Sequence, residues 1–273
     1  MTALAELKAE LATLRALFAR AVRVNFAYTS ALPMTLIGVG FSTVIPMLIW
    51  RHVYQVNPRA LPLPPDELFS YLLVAGCLNY VSMMNVEGRI GQRIRLGLIA
   101  IDLLRPVDFQ LGQVTQALAD ALFNVLVMLP LFALAVLLWG EAALPESLPA
   151  LAAAAVSALL GMTILFAISY IIVQAAFVTY SGYGVFVARN ALQLTFSGLS
   201  APLVLFPDRL RTIAEWLPFR HTIHTPVSIF VGWIDGAAIA RALLAQLVWA
   251  AALLLFGRWL LGVSLRRFEV QGG

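Results

Sequence analysis

Residues 147–188 read SLPALAAAAVSALLGMTILFAISYIIVQAAFVTYSGYGVFVA and carry no charged side chain. A single helix of that length would far exceed the roughly 30 Å hydrocarbon core of a bilayer, so the stretch must hold two apolar segments with a break between them. The break is placed at Tyr180-Ser181-Gly182-Tyr183-Gly184, where glycine and serine disfavour helix and tyrosine suits a headgroup boundary. This gives a long, tilted span over 148–178 and a second over 185–206, with Arg189 near its start able to snorkel.

Working outward, Leu32–Trp50 and Leu68–Val86 are also free of charge and long enough to cross. Asn57-Pro58-Arg59 and Leu61-Pro62-Leu63-Pro64-Pro65 separate them with a stretch that cannot continue a helix. Further spans are expected over 117–138 and 239–261. Residues 207–235 mix arginine and acids with Trp216, Phe219, Phe230 and Trp233, a pattern for an external interfacial or re-entrant segment. The expected fold is therefore all-α integral membrane, with six transmembrane helices in a single transmembrane domain over 1–273.

Composition agrees, because 61% of the 273 residues are hydrophobic and only 12% charged, with a mean hydropathy of +0.89. Such a chain cannot hide its apolar surface in one water-soluble core. Its net charge of +4 comes from basic residues beside apolar segments, which points to membrane lipids and not to nucleic acid. Cys77 is the only cysteine, so no internal disulfide can form. Residues 1–24 place Leu4, Leu7, Leu11, Leu14, Phe18 and Ala21 at helical spacing among charges throughout, the pattern of an amphipathic helix and not of a signal peptide. That helix serves about equally to lie on the membrane surface or to pack on a soluble partner or on the bundle's own cytoplasmic end.

With an even number of spans, both termini share a side. Twelve of the 18 basic residues then fall there, including Lys8, Arg15, Arg20, Arg23, Arg89, Arg93, Arg95, Arg105, Arg189 and Arg266, which makes that side cytoplasmic.

Candidate chemistry is sparse. Lys8, the sole lysine, has no glycine-rich loop before it, so P-loop hydrolysis of nucleotide is not expected on this chain. No catalytic set for an intramembrane enzyme is present, and no metal site is expected. His221 and His224 lack a carboxylate or cysteine at ligand spacing and read as interfacial histidines satisfied by water. Asp120 is the one acid inside a span, where insertion near a helix centre costs roughly 2.5 to 3.5 kcal/mol. It reads either as a pathway or inter-subunit polar group, with Asn124 one turn on and Gln174 opposite, or as a helix-end acid paired with Arg189 or Arg105. An ion-coupled secondary transporter would need such midplane groups, and Asp120 is the one candidate for that alternative.

Glu87–Asp108, EGRIGQRIRLGLIAIDLLRPVD, is short, basic and amphipathic, with Ile90, Ile94 and Ile101 on one face. Charge alone makes it an ordinary positive-inside loop; its amphipathicity also suits docking on a soluble partner, Pro106 ending one helix before the next begins.

Arg95, Gly97, Leu103, Leu104, Arg105 and Pro106 resemble the R-x-G-x(5)-L-L-R-P stretch after the second span of ABC-2 transporter permeases. Leu217-Pro218-Phe219-Arg220 with Pro226 and Gly232 is similar to that family's segment before the last span, and Leu265-Arg266-Arg267-Phe268-Glu269 resembles its basic C-terminal signature. Where the family usually has an acid three residues after the loop glycine, this chain has Ala100, with Asp102 two further on.

The resemblance implies a type V exporter-like architecture in a bacterial inner membrane. It implies a second identical or homologous permease and two copies of an ABC ATPase subunit, with ATP and magnesium bound by that partner and no cofactor here. It makes 87–108 the coupling helix, with Arg89, Arg93, Arg95, Gly97, Asp102, Arg105 and Pro106 as docking residues, and 1–24 the connecting helix. Apolar, charge-poor spans fit export of a lipid or amphipathic small molecule.

Overall fold

A computed structural model describes residues 2–27, 29–57, 62–105, 107–139, 145, 147–174 and 183–266. Among them are no strands. Five helical stretches are long and apolar enough to cross a membrane: Leu32–Val56, Pro65–Arg95, Phe109–Leu137, Leu148–Val173 and Gly236–Arg266.

In chain order, α1 spans Thr2–Ala27, α2 Leu32–Val56, α3 Pro65–Val81, α4 Val86–Arg95, α5 Ile99–Leu103 and α6 Phe109–Trp139. They are followed by α7 over Leu148–Val173, α8 over Tyr183–Phe196, α9 over Asp208–Trp216, α10 over His224–Phe230 and α11 over Gly236–Arg266. Pro64 and Pro65 start α3, where a missing N–H costs nothing, and Ser147 caps α7 by accepting from the Ala150 amide.

The centre of the bundle is α7. Of its most apolar window 61% is buried, against 11% for α2 and α11, whose outward residues such as Met34, Phe41 and Leu255 need lipid as solvent. Small residues on α7 explain its place. Ser157 donates to Gln246 Oε1 of α11 at 2.8 Å, and Gln246 Nε2 donates to the carbonyls of Ser157 and His221 at 3.0 and 2.8 Å. Gln174, just after α7, donates to the Gly257 carbonyl at 2.9 Å. These pairs advance together along both chains, so α7 and α11 run in the same direction. At Gly161, a Cβ would meet the His221 carbonyl at 2.7 Å and the Thr222 carbonyl at 3.0 Å. Gly161 and Ser157 thus permit close approach within this chain, whereas Gly38 and Gly40 on α2 have open space around them.

The expected span over 185–206 takes a different form. Its helix, α8, ends at Phe196 after 14 residues, or about 21 Å, which is shorter than the hydrocarbon core. Ser197–Ala201 then bends, with Gly198 at φ +83°, a conformation for which glycine has no steric penalty. The break proposed at 180–184 and the end of the 148–178 span fall largely outside the described residues.

Residues 207–235 divide in two. α9 stays on the surface, with Trp216, Ile213 and Leu210 exposed beside an Arg211–Glu215 pair at 3.2 Å. α10 is inserted, with Thr225 to Ile229 all buried between α7 and α3, and the His224 amide donates to the Ser197 carbonyl at 2.8 Å. The two histidines find hydroxyls instead of the water expected for them. His221 Nδ1 lies 3.1 Å from Thr225 Oγ1, and His224 Nδ1 lies 2.9 Å from the Tyr71 hydroxyl, which donates to the Gly198 carbonyl at 2.9 Å. Trp233 stacks on Tyr71 with ring centroids 5.1 Å apart and donates to Glu67 at 2.9 Å, tying α3 to the same cluster.

One outcome follows from this packing. Gly161→Val should destabilise the detergent-solubilised protein by about 1 to 3 kcal/mol through overpacking against backbone, while Gly40→Val should leave the unfolding midpoint within a degree; equal effects at both sites would contradict the assigned packing.

Candidate functional site

The loop between α3 and α6 is built on one apolar face. Val86, Ile90 and Ile94 of α4 and Ile99 of α5 are buried against Ala117 of α6 and Phe166, Tyr170 and Val173 of α7. Helical spacing puts Ile101 on that face, but it is 56% exposed and Ile99 takes its place. The cause is the turn at Leu96–Leu98, which stops α4. Gly97, at φ +68°, donates to the Ile94 carbonyl at 3.1 Å, and Leu98 donates to the Arg93 carbonyl at 2.9 Å, the double closure of a Schellman C-cap. The helical register restarts after it, and the inward face shifts by two residues.

The polar face of the loop is tied down by ion pairs. Glu87 pairs with Arg189 of α8, both side chains 10% exposed. Arg89 pairs with Asp120 of α6, and Asp120 also accepts from Asn25 of α1 at 3.1 Å. Arg93 binds both oxygens of the buried Asp102 on α5, and Arg105 adds a second cation to it at 3.3 Å. Asp108 pairs with Arg258 of α11 at 2.8 Å. A buried ion pair loses several kcal/mol when one partner is removed, because the other is left uncompensated. The loop is therefore held to α6 and α8 by pairs from which neither member can be removed cheaply, and to α11 by the more exposed Asp108–Arg258 pair.

Several expected pairings change. Arg189 does not snorkel; it is buried on Glu87, with Phe186 under its guanidinium at 5.5 Å. Asp120 meets neither Arg189 nor Arg105. Asn124 and Gln174 do not join it. The Asn124 amide instead donates to the carbonyls of Tyr80, Val81 and Met83 at 3.2, 3.4 and 2.9 Å, satisfying the open C-terminal end of α3, while Gln174 serves the seam with α11. No spacing rule identifies the Glu87–Arg189 pair, whose members lie 102 residues apart.

Of the residues read as docking groups, Arg89 and Arg93 face inward to carboxylates and Asp102 is buried between two arginines. Arg95 and Gly97 are exposed, Arg105 is partly so, and Pro106 lies outside the described residues. Apolar side chains of the loop that were not read as docking groups are uncovered as well: Leu96 is 61% exposed and Leu104 85%. With Ile101 they form an uncovered apolar tip on an otherwise braced loop.

α1 packs on the bundle instead of lying apart from it. Leu17 approaches Gly112, Asn25 meets Asp120, and Phe26 meets Phe123 edge-on with centroids 5.0 Å apart, so α1 runs beside α6 in the same direction. On the other side of the loop, α3, α7 and α8 enclose a cavity of about 520 Å³ whose wall joins Phe166 and Phe186 to Asn79, Ser82, Asn190 and Gln193. Ser82 Oγ, Arg189 Nε and Gln193 Oε1 are buried there without hydrogen-bond partners. Among the described residues, no group of three His, Cys, Asp or Glu could hold a metal ion.

Comparison with curated proteins returns no match. A family model described as ABC-2 family transporter protein matches residues 67–272, about three quarters of the chain, covering α3 to α11 and therefore the loop, the inserted α10 and the α7–α11 seam. The chain is a multi-pass membrane protein of the ABC-2 transporter permease family.

Proposed function

We propose that this permease is the membrane subunit of a bacterial inner-membrane exporter, with the α4–α5 loop transmitting motion from a separate ATPase. Membership of the family implies an ABC ATPase partner. The observation that carries the coupling role is the exposed apolar tip of Leu96, Ile101 and Leu104 on a loop ion-paired to α6, α8 and α11. An uncovered apolar patch marks a contact surface, and ion pairs on its opposite side let a push at the tip move several helices as a body. Arg95 and the partly exposed Arg105 add charge at the rim, and Gly97 gives the tip its turn. ATP and magnesium belong to the partner, of which two copies would serve a pair of identical or homologous permeases.

Six crossings, with α8 in the fifth, would put both termini on the cytoplasmic side with the loop. Residues 1–273 then form one transmembrane domain in which α1 connects bundle and ATPase. The cavity among α3, α7 and α8, lined by both apolar and polar side chains and with unpartnered donors and acceptors, fits an amphipathic small molecule or lipid as cargo. An ion-coupled mechanism is less well supported, because Asp120 is engaged by Arg89 and Asn25.

The test is co-expression with the cognate ABC ATPase subunit. Leu96→Glu/Leu104→Glu should abolish co-purification and cut permease-dependent ATP hydrolysis at least tenfold, while the unfolding midpoint of the permease alone stays within two degrees. Arg89→Ala should act the other way, lowering that midpoint by several degrees. A doubly substituted tip that still co-purifies and stimulates hydrolysis would overturn the docking role.

A further inference from the structure

At the loop end of the bundle, α1, α4, α5 and α6 enclose a second crevice, of about 290 Å³. Arg20, Arg89, Arg93 and Arg105 reach it, and three carboxylates line it: Asp102, Asp108 and Asp120. Each carboxylate is already engaged, Asp120 by Arg89 and Asn25, Asp102 by Arg93 and Arg105, and Asp108 by Arg258 from outside. Cations remain in surplus. Arg20 makes no ion pair among the described residues, and Arg89 uses only Nη1 on Asp120, leaving Nε and Nη2 buried without an acceptor.

Those two nitrogens form one edge of a planar guanidinium, the fork that grips two oxygens of a phosphate or carboxylate. Leaving such donors buried and unmet is unfavourable, so their arrangement asks for an anionic acceptor. Gln113, on the α6 wall, has a buried amide oxygen with no donor, which a ligand hydroxyl would satisfy. Above the crevice, Val24 and Phe26 of α1 are exposed, 43% and 50%, apolar surface on the side toward the spans.

From this geometry we infer that the crevice binds a phosphate group bearing a hydroxylated substituent, as in the headgroup of an anionic glycerophospholipid. The phosphate meets Arg89 and Arg20, a headgroup hydroxyl meets Gln113, and the acyl chains lie along Val24 and Phe26. Occupancy would fasten α1 to the root of the loop through a shared ligand. The binding itself does not depend on the coupling role proposed above.

The experiment uses the full permease alone, in phosphate-free maltoside detergent, with thermal unfolding followed by tryptophan fluorescence. Dioctanoyl phosphatidylglycerol should raise the midpoint by several degrees, and dioctanoylglycerol, which lacks the phosphate, should not. Arg20→Gln should remove at least half of the shift, whereas Arg15→Gln, an equal loss of charge elsewhere on α1, should preserve it. Inorganic phosphate at millimolar concentration separates the sources: a weaker shift than the lipid supports the headgroup, and an equal one overturns the lipid assignment in favour of free phosphate. Equal shifts from dioctanoylglycerol, or equal losses in the two arginine variants, would overturn the site altogether. Because no ATPase is present, either result leaves the coupling reading to its own test.

Discussion

The absence of a side chain at Gly161 is the constraint on which the bundle depends. Hydrogen alone at that position lets two backbone carbonyls of the inserted segment lie against α7. One of them, from His221, is satisfied by Gln246, which also holds Ser157, so a single amide joins α7, α11 and the inserted chain. In a hydrocarbon surrounding, where no water can replace a lost partner, non-helical backbone is tolerated only where protein supplies its hydrogen bonds. The bend after α8, the hydroxyl partners of the histidines and the Tyr71–Trp233 stack all rest on that insertion being possible.

Much of this was legible in the sequence because lipid imposes simple rules. Apolar runs marked six expected spans, among them the five stretches long and apolar enough to cross, proline marked the start of α3, and the mixed composition of 207–235 set that segment apart from the spans. The loop was found by its charge and its ordered motif residues, and Gly97 fills the left-handed position of a helix end. What could not be read is which charge meets which. Arg189 sits one helix away from Glu87 in space and far from it in sequence, and no periodicity brings them together. Asp120 was singled out by the cost of a buried carboxylate, but its partner was misassigned, since choosing among nearby arginines requires knowing where α4 lies over α6.

The end of α8 was misplaced for a related reason. Composition from 185 to 206 is apolar enough for a span, yet one left-handed glycine and the flanking serines redirect the chain after Phe196. Hydropathy measures transfer free energy along a segment and is blind to a single backbone angle. The exposed tip was missed through the opposite error: Ile101 was set on the face of Ile90 and Ile94 by helical spacing, which fails once the Leu96–Leu98 turn resets the register. On a loop, apolar residues that a folded chain leaves uncovered carry more functional information than the charges around them.

Asn124 gives the boundary between α3 and α4 a mechanical character. Its amide faces the carbonyls of Tyr80, Val81 and Met83, the last of which lies in the short break before α4 begins. A tilt of α4 away from the axis of α3 would have to slide those acceptors past one donor fixed on α6. Any bend between α3 and α4 would therefore have to pivot on a pin set in a neighbouring helix, about an axis that α6 defines.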